Sequence, residues 1–431
     1  MSKYAIALLS LLLIAVIIVG CGGGDPPKGK NEPHQAKKKI VKINFFMETS
    51  GSMAGYLQGS TDFRKRIPNL LVNIEGKVDS GKLKLHNYYI ADSIVPFSGS
   101  TQQFINAIST GHPTKSKSSE MHKIFEMIAQ HTDSNDISIF VSDCILSYPD
   151  AVLRQKGNEN INRDNAEGEL KATMTKSFLD LKQHKHMCAM VYGFNSSFVG
   201  NYYTYQNKVI PIKGNVSRPY YMWVIGNREL LSHFNNQLND LESLQPYTMA
   251  MDFGLFGEPV KGGNILFNYL REGDWAVGED GLKDVSASAK KPCVFAIATD
   301  LSSLPAYAKD TTYLRQHLKK QADNLDYSIE KILLAKNIDI GKLKKSERAG
   351  VQKGTHVFVL RINNVYQSGN VTLHLPLQYD TSYRALSIMD DSKVTDIDGK
   401  TFALQHLIDG VREAYQNNNQ DYIDISIPIK K

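Results

Sequence analysis

The sequence predicts an α/β fold in two parts: a doubly wound, mostly parallel sheet over residues 40–243, then a β-rich, sandwich-like domain of immunoglobulin type with helical insertions over residues 244–431. Two observations carry this reading. In the first part, short runs apolar on both faces alternate with apolar stripes at a 3.6-residue period, the pattern of a parallel sheet covered by helices on both sides. In the second part, strands dominate and at least one alternates cleanly, as expected where one face meets water.

The elements of the first part follow in order. Ile40–Met47 reads as a central strand. Phe63, Ile67, Leu70, Leu71 and Ile74 form a helical stripe that contains Pro68, which restricts its first turns. Leu83–Ile94 holds one or two strands. Met121, Ile124, Phe125 and Ile128 mark a helix, and Ile137–Val141 a buried strand. Leu170, Met174, Phe178 and Leu181 mark another helix. Met187–Tyr192 and Tyr220–Ile225 read as strands, followed by a helix through Leu230, Phe234, Leu238 and Leu241. In sheets of this kind ligands bind outside the carboxyl ends of the strands, so the loops after each strand carry the functional expectation.

In the second part, residues 294–298, 327–334, 356–362, 371–377 and 422–429 read as strands. Helical stretches fall near residues 312–322 and 402–415, the latter with Ala403, Leu407, Val411 and Ala414 on one face.

The N-terminus opens with Lys3 and an uncharged apolar run, Tyr4–Val19, the layout of a secretory signal peptide. Its ending, Ile18-Val19-Gly20-Cys21, resembles the lipobox of bacterial lipoproteins. That resemblance implies that residues 1–20 are a signal peptide and that Cys21 becomes a lipid-bearing N-terminus. Acyl chains contribute ~0.8 kcal/mol per buried methylene, so such an anchor holds the chain to a membrane. Residues 21–39 are rich in Gly, Pro and Lys and read as a flexible tether.

Of the net charge of +6, residues 1–39 supply +4, from six lysines against Asp25 and Glu32. The remaining body is nearly neutral, which argues against nucleic acid as a partner. Beyond Cys21 the cysteines are Cys144, Cys188 and Cys293; three thiols allow one bridge at most and no disulfide framework.

Directly after the first strand stands Glu48-Thr49-Ser50-Gly51-Ser52-Met53. A carboxylate and two hydroxyls at alternate positions can present hard oxygens to Mg²⁺ or Ca²⁺. Gly51 is expected to let the backbone turn tightly between the serines. This stretch resembles the Asp-x-Ser-x-Ser loop of von Willebrand factor A (vWA) domains, which begins their metal-ion-dependent adhesion site, and residues 40–243 then read as a vWA/Rossmann-like sheet. The resemblance implies two further ligands: Ser118 or Ser119 before the Met121 helix, and Asp143 after the strand ISIFVS. The metal set it implies is therefore Glu48, Ser50, Ser52, Ser118 and Asp143. Two departures stand out: Glu48 replaces the family's Asp, and Cys144 stands where the family often has Gly. The competing reading is a degenerate site whose serines only bond the local backbone.

A site of this family leaves one coordination position for a carboxylate of a partner protein, so the resemblance implies protein–protein binding through a divalent cation, without turnover. The competing functions are a metal-free scaffold and, less favoured, an envelope hydrolase, for which no motif is present. Thr49-Ser50-Gly51 lacks the glycine before Ser that a nucleophile elbow requires. His184 and His186 read as part of a solvated loop, and Asp396–Gly399 as a turn. The tyrosine-rich stretch from Phe198 to Trp223 reads as rings packed on the sheet rather than a binding platform. The whole resembles vWA-containing lipoproteins of Bacteroidota, which implies an outer-membrane anchor. Only Asp25 is acidic just after Cys21, which favours a periplasm-facing position over a surface one.

Overall fold

A computed structural model describes residues 39–110, 120–148, 150–158, 160–305, 307–416 and 420–431, and eighteen strands order these described residues. Cys21, Ser118 and Ser119 lie outside the described residues. The first seven strands are β1 (Lys42–Glu48), β2 (Leu85–Ile90), β3 (Ile94–Pro96), β4 (Asp136–Ser142), β5 (Met187–Tyr203), β6 (Val209–Asn227) and β7 (Met249–Phe253). They form one sheet in the order β3-β2-β1-β4-β6-β5-β7.

β1 is parallel to both β2 and β4, with Met47 beside Tyr89 on one side and Val141 on the other. These three strands are the parallel centre that the sequence predicts. The flanks differ from the mostly parallel expectation: β3, β6, β5 and β7 are all paired antiparallel. The cause is a long hairpin. The apolar runs at 187–192 and 220–225 are the inner halves of β5 and β6, which pair continuously from Met187↔Asn227 to Tyr203↔Val209, with one register shift between Ser197 and Val199. Adjacent strands joined by a short loop must be antiparallel, since a parallel pair needs a crossover.

Helices cover both faces, as periodicity predicts. Asp62–Lys77, Thr101–Thr110 and Arg228–Asn239 pack on one face, through Phe63, Phe104, Leu231 and their neighbours. Met121–His131 and Lys171–Lys185 pack on the other. There Trp223, fully buried, meets Phe125 edge-on with ring centroids 5.0 Å apart. Two contributions from beyond residue 243 join this layer. β7 is the sheet's edge strand. The Leu404–Tyr415 helix seats Gly410 against the Lys171–Lys185 helix, where a Cβ would stand 2.6 Å from the Lys171 carbonyl oxygen.

The remaining strands are β8 (Asn264–Leu266), β9 (Asp274–Val277), β10 (Leu282–Ser286), β11 (Cys293–Thr299), β12 (Lys319–Ala322), β13 (Leu325–Leu334), β14 (His356–Val365), β15 (Gly369–Pro376), β16 (Ser387–Ile388), β17 (Thr401–Phe402) and β18 (Asp421–Ile429). Sheets β12-β15-β18-β10-β9 and β13-β14-β11-β8 face each other. Phe295, Phe358, Leu360, Leu373 and Ile425 share the core between them. Alternation in β15 is clean: Val371, Leu373 and Leu375 are buried while Thr372 and His374 are half-buried on the outer face. The helix expected over residues 312–322 stops at His317, and Lys319–Ala322 is strand β12. The described residues from Lys39 to Lys431 form a single compact unit. Among the described residues, no helix is long and apolar enough to cross a membrane.

Candidate functional site

β1 and β4 end side by side, so the loops that follow them share the carboxyl edge of the parallel centre. Thr49 N still donates to Ile90 O at 3.0 Å, which extends the β1–β2 ladder by one residue and holds the start of the Ser50 loop. A 3₁₀ turn over Ser52–Tyr56 follows. Gly51 takes an ordinary right-handed conformation, φ −61°, so the turn between the serines does not require its glycine.

Ser50 Oγ and Ser52 Oγ lie 2.9 Å apart, and the Ser52 hydroxyl stands near enough to the Asp143 carboxylate to favour its charged form. Asp143 Oδ1 accepts from Ile145 N at 3.3 Å. Burial pushes the Asp143 carboxyl above the usual carboxylate range, opposed by the Ser52 hydroxyl, by the bond from Ile145 and by the positive charge of Arg218. Three of the expected ligands therefore come together. Glu48 occupies the neighbouring strand end, fully buried, where its Oε2 accepts the Ser142 hydroxyl. Ser142 Oγ in turn accepts from Cys144 N at 2.7 Å. Cys144 has φ +56°, a left-handed conformation that glycine adopts without strain. Its thiol is fully buried and pushed well up by burial.

The sequence reading missed the charge beside this set. Arg218, on β6, is fully buried. Its Nη1 donates to the carbonyls of Ile397 and Lys400, the latter at 2.6 Å. The guanidinium lies 4.5 Å from the ring centroid of Tyr202, whose hydroxyl donates to Asp391. Burial works against the Arg218 charge, but Tyr202, Tyr56 and Asp143 outweigh it and hold its pKa above the ordinary value. Its Nε and Nη2 have no hydrogen-bond partner among the described residues. The only sequence signal was one Arg at the head of the aromatic run Arg218–Ile225.

The tyrosine-rich stretch and the Asp396–Gly399 turn resolve as packing, while His184 stands in the last turn of the Lys171–Lys185 helix with an exposed side chain. Phe198, Tyr202, Tyr205, Tyr220, Tyr221 and Trp223 are all buried. In the Asp396–Gly399 turn, Asp398 Oδ1 accepts from Ser217 N at 2.8 Å and so docks the turn on β6. Among the described residues one other group could hold a metal: on the outer face of the sandwich, His374 Nδ1 lies 3.5 Å from Asp421 and 3.2 Å from Asp424. All three side chains are about a third exposed, and an ordinary ion-paired triplet accounts for them.

The donor chemistry at the strand ends suits a hard divalent cation. Ser50 Oγ and Ser52 Oγ are hydrogen-bonded with the Asp143 carboxylate beside them, and all three are ligand types for Mg²⁺ or Ca²⁺. No family model matches the chain, and neither curated proteins nor solved structures give a match.

Proposed function

We propose that this chain is a lipid-anchored envelope protein whose α/β layer binds a partner protein at the carboxyl ends of β1 and β4, with a vWA-like sheet as the scaffold. The observation that carries the reading is that the hydrogen-bonded pair Ser50–Ser52 and the carboxylate of Asp143 come together at those two strand ends. The order β3-β2-β1-β4, with the last three parallel, also accords with it. Ser50, Ser52 and Asp143 are the residues that would hold Mg²⁺ or Ca²⁺, with Ser118 or Ser119 as the expected fourth contribution. A cation bound there supplies an open position for a partner's carboxylate. Glu48 bonds Ser142 and so ties the ends of β1 and β4 together. The reading is one of binding rather than turnover, and it places the anchor at Cys21 in the outer membrane, facing the periplasm.

Arg218 favours a second reading, a metal-free scaffold. A buried guanidinium already supplies positive charge to Asp143, and a charge compensated from within needs no ion. Thermal unfolding of the chain in EDTA, Mg²⁺, Ca²⁺ or Mn²⁺, beside Asp143→Asn, separates the two. A ligand confined to the folded state adds ~2.7 kcal/mol at 100 times its dissociation constant. The cation reading expects a rise in wild type that the variant lacks. Identical melting in EDTA and in every cation rejects it in favour of the scaffold.

A further inference from the structure

A second site, independent of the strand-end set, lies where the first sheet meets the sandwich. β7 is the edge strand, and its Met251 and Phe253 enter the core on one face. On the opposite face Asp252 and Ala250, with Met190 and Tyr192 of β5, line a cleft of about 760 Å³. One wall is the Arg228–Asn239 helix, which contributes Asn235, Asn236 and Asn239. The facing wall is two loops of the sandwich, at Ser302–Ser303 and Asp380–Ser382. Small-molecule sites commonly measure roughly 300–1,000 Å³.

The lining selects the chemistry of the occupant. Its charged groups are Asp252, Asp380 and Lys309, with no arginine, so an anion such as a phosphate ester is disfavoured. Amides and hydroxyls, which both donate and accept, make up most of the polar surface. Asn235 Oδ1 accepts from Tyr192 Oη and from Asn239 Nδ2, the latter at 3.1 Å, which fixes the Asn235 amide plane. With its oxygen taken, the Nδ2 of that amide remains as a donor. Tyr247 stands at the mouth, 36% exposed, its ring 5.5 Å from that of Tyr192. Asp252 has no hydrogen-bond or ion-pair partner among the described residues; it is half-buried, and burial alone displaces its titration. A half-buried carboxylate that lines a cleft and takes no donor from the protein is free to accept one from a ligand.

We propose that this cleft binds a carbohydrate, with the Tyr247 ring stacked on a sugar face, Asn235 donating to a hydroxyl and Asp252 accepting from another. A flat aromatic ring beside fixed amides and an acceptor carboxylate matches a ligand that is apolar on its ring faces and polar at its edges.

The test is calorimetric titration of the full chain, purified in detergent, with gluco-, manno-, galacto- and N-acetylglucosamine tetrasaccharides, and with spermidine. The expected result is saturable binding of at least one tetrasaccharide, weakened at least about tenfold by Tyr247→Ala and by Asp252→Asn. Asp252→Asn keeps the side chain's shape, and a retained melting transition shows that the variant is folded. Three outcomes overturn the proposal: no heat from any tetrasaccharide at millimolar concentration, binding unchanged in both variants, or spermidine binding alone, which would make the cleft a site for amines.

Discussion

Asp252 is a single residue whose titration reaches the whole molecule. Burial raises its pKa from 3.8 to about 6 in the fold, while the unfolded chain keeps the ordinary value. Between these values the folded state holds more protons than the unfolded state, so stability falls as pH rises from about 4 to 6 and stays lower above. Asp252→Asn removes that loss. We expect the variant to be more stable than wild type by about 1–2 kcal/mol at pH 7.5, less than the full equivalent of the shift because water enters the cleft. At pH 4 the difference disappears. Urea unfolding at the two pH values measures it, and a gap of equal size at both would show that the carboxyl is not perturbed. Asp143 and Asp391, both pushed up by burial, add to the slope with the same sign. At this scale the sequence was readable where chemistry sits next to a strand end. Ser50, Ser52 and Asp143 belong to loops that a parallel sheet brings together. Arg218, Asp252 and Asp391 were not readable, because their roles depend on which distant segments cover them. Cys144 is an intermediate case. A residue in a glycine-like position was visible, and φ +56° shows why glycine suits it.

The helices of the α/β layer were legible as elements because one face of each is apolar at a 3.6-residue period, and that face meets the sheet. The β5–β6 hairpin was not legible in full. Its outer halves, through Asn195–Tyr203 and Val209–Ser217, mix polar, glycine and aromatic residues, and they hold strand form by pairing with each other rather than by an apolar pattern. The hairpin also braces the candidate site. Phe198 of β5 packs on the 3₁₀ turn after Ser52, and a Cβ at Gly55 would stand 2.1 Å from its ring. Phe198 is itself held edge-on against Tyr56, centroids 5.1 Å apart, so the ring cannot yield freely. Gly55→Ala is therefore expected to cost about 1–3 kcal/mol. Gly55→Ala combined with Phe198→Ala should cost less than the sum of the two single changes, because the second removes the clash. Strict additivity in chemical denaturation would mean that the turn and the hairpin are not in contact.

At the scale of the whole molecule, a sequence reading in two parts meets a structure in which late elements complete the early layer. β7 and the Leu404–Tyr415 helix both pack with residues 40–243. Local periodicity announces that a helix exists but not which sheet it covers, so this placement was beyond the sequence. The proposed anchor belongs to this scale as well. If Cys21 carries lipid, cells fed an alkyne palmitate analogue should yield a labelled chain in the membrane fraction, and Cys21→Ser should lose the label. Labelling of the variant equal to wild type would reject Cys21 as the acceptor.

The central claim is that Ser50, Ser52 and Asp143 form a cation site, and calorimetric titration of Mg²⁺ and Mn²⁺ into the chelator-stripped full chain tests it most directly. The account predicts one saturable site in wild type and none in the Ser50→Ala, Ser52→Ala double variant. Absence of saturable heat in wild type up to millimolar cation, or equal binding by the variant, would contradict it and leave Arg218 as the charge that balances Asp143.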